Sequence, residues 1–157
     1  MDINSGLISY RESGSINNKV LVLLHGIGSA SGSWFRQLEN LSSNYRVVAW
    51  DAPGYGNSTA LLNEKPRAKD YAQALEKFIV SLNIQPHILV GHSLGALIAG
   101  SYAASYPISR LRLILADPAN GHGQLGEQER LAKLRSRLDD MNTVSYTHLT
   151  LPTILLV

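Results

Sequence analysis

His87-Ile-Leu-Val-Gly-His-Ser-Leu-Gly-Ala-Leu-Ile-Ala-Gly-Ser-Tyr-Ala-Ala-Ser-Tyr-Pro107 changes its period in the middle, and that change decides the fold. His87 to Val90 is a short apolar run with two β-branched residues, the pattern of a buried strand. Leu94 to Tyr106 is rich in Ala and Leu with apolar positions at helical spacing. Ser93 sits at the junction, inside Gly91-His92-Ser93-Leu94-Gly95. This is a Gly-x-Ser-x-Gly turn, whose small residues let a strand and a helix approach closely enough to hold the serine in a strained backbone conformation. The hydroxyl is then lifted clear of the sheet edge. The Leu94 N–H falls in the first helical turn, where an unsatisfied donor and the positive end of the macrodipole can meet a developing oxyanion. The same five residues can also be read as a plain helix start with Ser93 as its N-cap. The strand before and the long small-residue helix after favour a nucleophile.

Outward from this turn, the chain alternates strands and helices. Leu7 to Arg11 alternates weakly, as an edge strand would, and Glu12 to Asn18 is rich in turn residues. Lys19 to Leu24 and Tyr45 to Trp50 are near-continuous apolar runs, the signature of strands covered on both faces. His25-Gly26-Ile27-Gly28 follows the first of them, and its glycines allow turns that direct N–H groups above the sheet. Ser33 is expected to cap a helix from Trp34 to Leu41. Asp51-Ala-Pro-Gly-Tyr-Gly-Asn-Ser58 contains too much Pro and Gly to be helical. Pro66 to Leu82 is amphipathic, with Tyr71, Leu75, Phe78 and Ile79 on one face and Lys69, Glu76 and Lys77 largely on the other. Leu111 to Ala116 is a further strand, closed by Asp117-Pro118, and Gln124 to Met141 is a polar helix with a narrow Leu131, Leu134, Leu138, Met141 stripe. Such alternation predicts right-handed crossovers and an α/β, doubly wound, mostly parallel sheet.

The 157 residues suit one domain, and 45% hydrophobic with 17% charged residues is a globular composition. A net charge of +2 with scattered basic residues argues against a nucleic-acid partner. The absence of cysteine excludes disulfide and thiolate chemistry. No stretch is long enough for a membrane span, and the first residues lack the features of a signal peptide, so the expectation is a cytoplasmic protein without a membrane partner. Ligand-spaced His, Asp or Glu clusters are missing, so neither a metal nor a cofactor is expected.

His25-Gly26-x-Gly28, Asp51-x-Pro53-Gly54-x-Gly56-x-Ser58 and Gly91-x-Ser93-x-Gly95, each at the end of a predicted strand and in this order, resemble the α/β-hydrolase superfamily. The resemblance runs from about Leu7 to Met141, the amino-terminal half of the usual fold plus what would be a first cap helix over 124–141. It implies Ser93 as the nucleophile, the backbone N–H groups of Ile27 and Leu94 as the oxyanion hole, and a structural 51–58 loop. It implies a small-molecule substrate with an ester, a lactone or a carbon–carbon bond next to a carbonyl. Members of the superfamily place an acid and then a histidine after the serine, in positions that do not occur in this chain. On the resemblance, the chain as it stands is therefore a truncated and inactive hydrolase.

Asp117 and His122 follow Ser93 in the right chain order, but a five-residue loop would have to aim both. His92 is adjacent to Ser93 and should point elsewhere, and His25 should hold the oxyanion loop in shape. Val144-Ser-Tyr-Thr-His-Leu-Thr-Leu-Pro-Thr153 reads as a translated transposon adapter, which would limit the domain to 1–143 and make 144–157, with His148, a foreign tail. The alternative is a genuine β-rich terminal strand. The half of the usual fold that this chain lacks would normally supply a neighbour to the Leu111 to Ala116 strand, so an open edge is expected there. Two other functions compete. Gly26-x-Gly28-x-x-x-Gly32 with Asp51 imitates a dinucleotide site, though its glycine spacing is wrong. A non-catalytic binding protein on a hydrolase-like scaffold would keep Ser93 without a triad.

Overall fold

The structure is a computed structural model that describes residues 6–118, the positions 126, 128, 129, 132 and 135, and the backbone of 154–156. The chain divides into two compact units, 1–119 with 153–157, and 120–152. The first holds a six-stranded sheet. Its strands are β1 (Tyr10–Ser13), β2 (Lys19–Leu24), β3 (Tyr45–Trp50), β4 (Pro86–His92), β5 (Arg112–Ala116) and β6 (Ile154–Leu156), in the spatial order β1-β3-β2-β4-β5-β6. The four central strands are parallel, while β1 runs antiparallel to β3 and β6 antiparallel to β5. The helices are α1 (Phe35–Leu41, entered through a 3-10 turn at Ser31–Trp34), α2 (Ala68–Ser81) and α3 (Leu94–Ser105).

Two apolar layers follow from the strand period. Successive side chains of a strand point to opposite faces, so Val20, Val22 and Leu24 join Val48, Trp50 and Leu89 in the core shared with α2 and α3. Leu21 and Leu23 join Val47, Ala49 and Leu38 beneath α1. A continuous apolar run is thereby divided equally between two layers, which is why β2 and β3 begin and end where the sequence places them. On β4 the pattern sends Ile88 and Val90 to the α1 layer and Leu89 to the other. Its register slips between Val20 and Leu21 of β2, and the Val20 N–H is received there by His87 Nδ1 at 3.3 Å.

α2 buries Leu75, Phe78 and Ile79 as expected. Its polar face departs from expectation at Glu76, whose Oε2 accepts a hydrogen bond at 2.8 Å from the fully buried Tyr102 hydroxyl of α3. Burial first, and then the Glu76 contact, raise the Tyr102 phenol above its ordinary value.

Three further expectations need correction. The first strand begins three residues later than Leu7, because Leu7 is held outside the sheet by Thr59: its N–H donates to Thr59 Oγ1 at 3.0 Å, and the Thr59 N–H donates to the Leu7 carbonyl at 2.8 Å. Ser33 is not an N-cap; its hydroxyl donates back to the Ala30 carbonyl at 2.8 Å within the 3-10 turn. The edge of β5 is not open, since Ile154–Leu156 pairs along it. In the second unit, residues 128, 129, 132 and 135 are helical, and the remainder of the 124–141 helix, including its Leu131, Leu134, Leu138, Met141 stripe, lies outside the described residues.

Candidate active site

Ser93 stands between β4 and α3 with φ +53° and ψ −112°, a left-handed conformation that costs a non-glycine residue of order 1–3 kcal/mol. Ser93 occupies the N-cap position of α3, but its side chain makes no capping hydrogen bond to the helix. Among the described residues the hydroxyl has no hydrogen-bond partner at all. The backbone is held instead: the Ser93 N–H donates to the Ala116 carbonyl at 3.0 Å, and the Ser93 carbonyl accepts from Ala96 and Leu97 at 3.1 and 3.3 Å.

The glycines around it are required by space. A Cβ on Gly91 would overlap the Gly95 carbonyl, and a Cβ on Gly95 would overlap the Leu24 carbonyl of β2. Strand and helix therefore meet through bare backbone, which forces the sharp turn at Ser93. Gly26 closes the other side, where an added Cβ would come within 3.1 Å of both Ser93 Cβ and His92 Nδ1. The loop after β2 thus lies directly against the serine. Neither the Ile27 N–H in that loop nor the Leu94 N–H at the head of α3 has an acceptor among the described residues. Ile27 is 51% exposed.

Beneath this loop the polar groups are paired. His25 is 1% exposed; its Nε2 accepts the Ala52 N–H at 3.0 Å, so Nδ1 carries the proton and donates to the Gly26 carbonyl at 2.8 Å. Burial pushes its pKa below 6.5, against the opposing effects of the Gly26 carbonyl and of Asp51. The Tyr55 ring packs edge-on against it at 5.1 Å. Asp51, 5% exposed, accepts the Ser31 N–H at 2.6 Å. Burial alone would raise its carboxyl pKa, but the hydrogen bonds from Ser31 and Ser9, with a smaller effect of His25, hold it below the usual value. The Ser58 hydroxyl donates to the Asp51 carbonyl at 2.7 Å and accepts the Ser9 N–H at 2.9 Å. Asp51 is therefore committed to holding two loops and does not stand free for a ribose hydroxyl. These pairings join residues far apart in sequence. The one sequence signal for them is an acid and a histidine that end adjacent buried strands.

Asp117 follows Ala116, whose carbonyl holds the Ser93 N–H, and so shares the carboxyl edge of the sheet with Ser93; it is exposed, with φ +45°. Among the described residues it has no hydrogen bond or ion pair to Ser93 or to a histidine. His92 lies against Gly26, His87 is at the opposite end of β4, and His122 and His148 are outside the described residues. No group of three or more His, Asp or Glu among the described residues could hold a metal ion. No described helix is long and apolar enough to cross a membrane.

The family described as alpha/beta hydrolase fold matches residues 19–152. The chain belongs to the α/β-hydrolase family. Within it, the chain is 36% identical over 104 residues to the (E)-2-((N-methylformamido)methylene)succinate hydrolase of Acinetobacter baylyi, covering 66% of this chain and 38% of the relative. It is 31% identical to the 2-hydroxy-6-oxo-6-phenylhexa-2,4-dienoate hydrolase of Comamonas testosteroni, covering 74% and 42%. Among solved structures, a membrane phospholipase A described as a bacterial virulence factor superposes with a TM-score of 0.77 at 28% identity, covering 97% of this chain and 53% of that one. The chain thus spans about half or less of the length of these relatives.

Proposed function

We propose that this α/β-hydrolase acts through Ser93 as a nucleophile on the carbonyl of a small ester, a lactone or a ketone whose adjacent carbon–carbon bond is cleaved. The observation that carries the proposal is the strained, unpartnered Ser93 hydroxyl beside two N–H groups that have no acceptor among the described residues. In this reading a histidine outside this chain accepts the serine proton as Oγ attacks. The negative charge that develops on the carbonyl oxygen is received by the N–H groups of Ile27 and Leu94, the second aided by the dipole of α3. The leaving group departs with the proton returned by the histidine, and water repeats the sequence to release the acyl group and restore the serine. This chemistry needs neither metal nor cofactor.

The test is Ser93→Ala in the protein carrying the complete triad. Turnover of a p-nitrophenyl ester should fall by several powers of ten, and near-normal turnover would overturn the assignment. A fluorophosphonate probe separates catalyst from binding protein: an activated Ser93 is labelled, whereas a serine retained on a non-catalytic scaffold is not.

A further inference from the structure

A cavity of about 300 Å³ is lined by residues before β1, by Pro53 and residues 59–63 after β3, and by α2; Ser93 and Leu94 do not line it. One wall is α2, which presents Asp70, Gln73, Ala74 and Lys77, the i, i+3, i+4, i+7 spacing of a single helix face. The facing wall is Leu7 and Ile8, with Pro53 and the segment 59–63 between. This wall is built rather than incidental, because the two Leu7–Thr59 hydrogen bonds join positions 52 residues apart. Leu62 is 98% exposed and belongs to the same lining.

The two charges differ in availability. Asp70 Oδ2 already accepts the Arg67 N–H at 2.7 Å and Asn63 Nδ2 at 3.3 Å, fixing the start of α2. Lys77 has no ion-pair partner among the described residues. The cavity is therefore a mainly aliphatic trough with one uncommitted ammonium along its helix wall. Its volume is at the lower limit of ligand sites, roughly 300–1,000 Å³, and no aromatic ring lines it to stack on a base or a ring system.

We propose that this cavity binds short unbranched aliphatic carboxylates, with the carboxylate at Lys77 and the alkyl chain against Leu7, Ile8, Pro53 and Ala74. A single cation matches a single carboxylate, and an aliphatic trough matches a methylene chain. No nucleophile or second uncommitted titratable group lines it, so the site is one of binding rather than chemistry.

The test is a titration of the 15N-labelled full chain with butanoate, hexanoate and octanoate, followed by NMR. Saturable shifts are expected at Leu7, Thr59, Asn63 and Lys77, with affinity rising by up to about fourfold per added methylene, while octanol without the charge binds more weakly than octanoate. Lys77→Gln should weaken octanoate about fivefold, the upper range for an exposed charge pair. Gln73→Glu should do the same by placing a carboxylate four residues before Lys77 on the same helix face; neither change touches the buried core. Affinity independent of chain length, unchanged binding by both variants, or saturable shifts centred on Ser93 and Leu94 would each overturn the proposal, as would the absence of any saturable shift with octanoate.

Discussion

The loop that leaves β3 and the turn that leaves β4 lie at the same carboxyl edge of one sheet, yet they treat their polar groups in opposite ways. Around Asp51 every key group is engaged: the carboxylate by Ser31, both nitrogens of His25 by Ala52 and Gly26, and the Ser58 hydroxyl by Asp51 and Ser9. At Ser93 the backbone is tied down and strained while the hydroxyl is left without a partner among the described residues. A scaffold closes most of its buried polar groups in hydrogen bonds, because leaving one open costs about 1–3 kcal/mol; among the described residues the buried indole N–H groups of Trp34 and Trp50 are exceptions. A reactive site keeps one group open and uses its surroundings to hold that group still. The contrast separates residues that shape the site from the residue offered to a substrate.

The strongest way to break this contrast is at the glycines beneath Ser93. Gly95→Val would drive a side chain into the Leu24 carbonyl of β2, and the chain should lose about 3 kcal/mol of stability by urea denaturation, the upper part of the usual range for overpacking. A variant within 1 kcal/mol of the parent would show that strand and helix do not meet through bare backbone.

Next comes the closed network. Asp51→Ala leaves the buried Ser31 N–H without an acceptor and should cost about 2 kcal/mol, with Asp51→Asn recovering part of the loss. Equal, negligible effects of both would show that the carboxylate is not the hub of the two loops.

A pH series then sharpens the account. His25 has a folded pKa below its ordinary 6.5, so the unfolded chain binds the proton more readily. The stability that His25 contributes is fully present above about pH 6.5 and is lost as pH falls from there through its folded value. Asp51, also depressed but from 3.8, contributes stability that is present above that value and lost on further acidification through its own folded pKa. The urea midpoint should therefore fall between pH 7 and pH 5, and His25→Asn should flatten that slope relative to the parent. An identical slope in the variant would mean that other histidines are responsible.

The smallest effects belong to Ser93 itself. Ser93→Gly relieves the φ of +53° and should stabilise the chain by about 1 kcal/mol. Ser93→Ala, which removes a hydroxyl without a described partner, should change stability by no more than about 0.5 kcal/mol. A large loss on Ser93→Ala would place the hydroxyl in the scaffold after all.

Legibility in the sequence followed burial. β2 and β3 were readable to the residue because apolar side chains on both faces leave an unbroken run whose ends are sharp. The start of β1 is hard to read because an exposed edge strand carries little alternation, and its true start is set by Leu7 being diverted to Thr59, an interaction 52 residues long. Ser33 resembles an N-cap in the sequence because a 3-10 turn uses the same hydroxyl that an α-helical cap would. The pairing of Ile154–Leu156 with β5 could not be inferred from short-range pattern. At the site, the position of the serine turn was legible because its glycines are a local necessity. The roles of Ser9, Ser31 and Ser58 around Asp51 were not, since each partner comes from a different stretch of the chain and serine is unremarkable in any of them.

The hydrogen bond from the Ser93 N–H to the Ala116 carbonyl has a consequence in time. Synthesis proceeds from the amino terminus, and β2, β3, β4 and α3 are all complete by Ser105. At that point the serine amide still faces an empty position, because its acceptor is the last residue of a strand not yet made. The turn can form early, but its final setting waits for β5 to dock beside β4. A nascent chain paused between Ser105 and Ala116 therefore has the sequence of the site without the brace that fixes it, and gains that brace in a single late step.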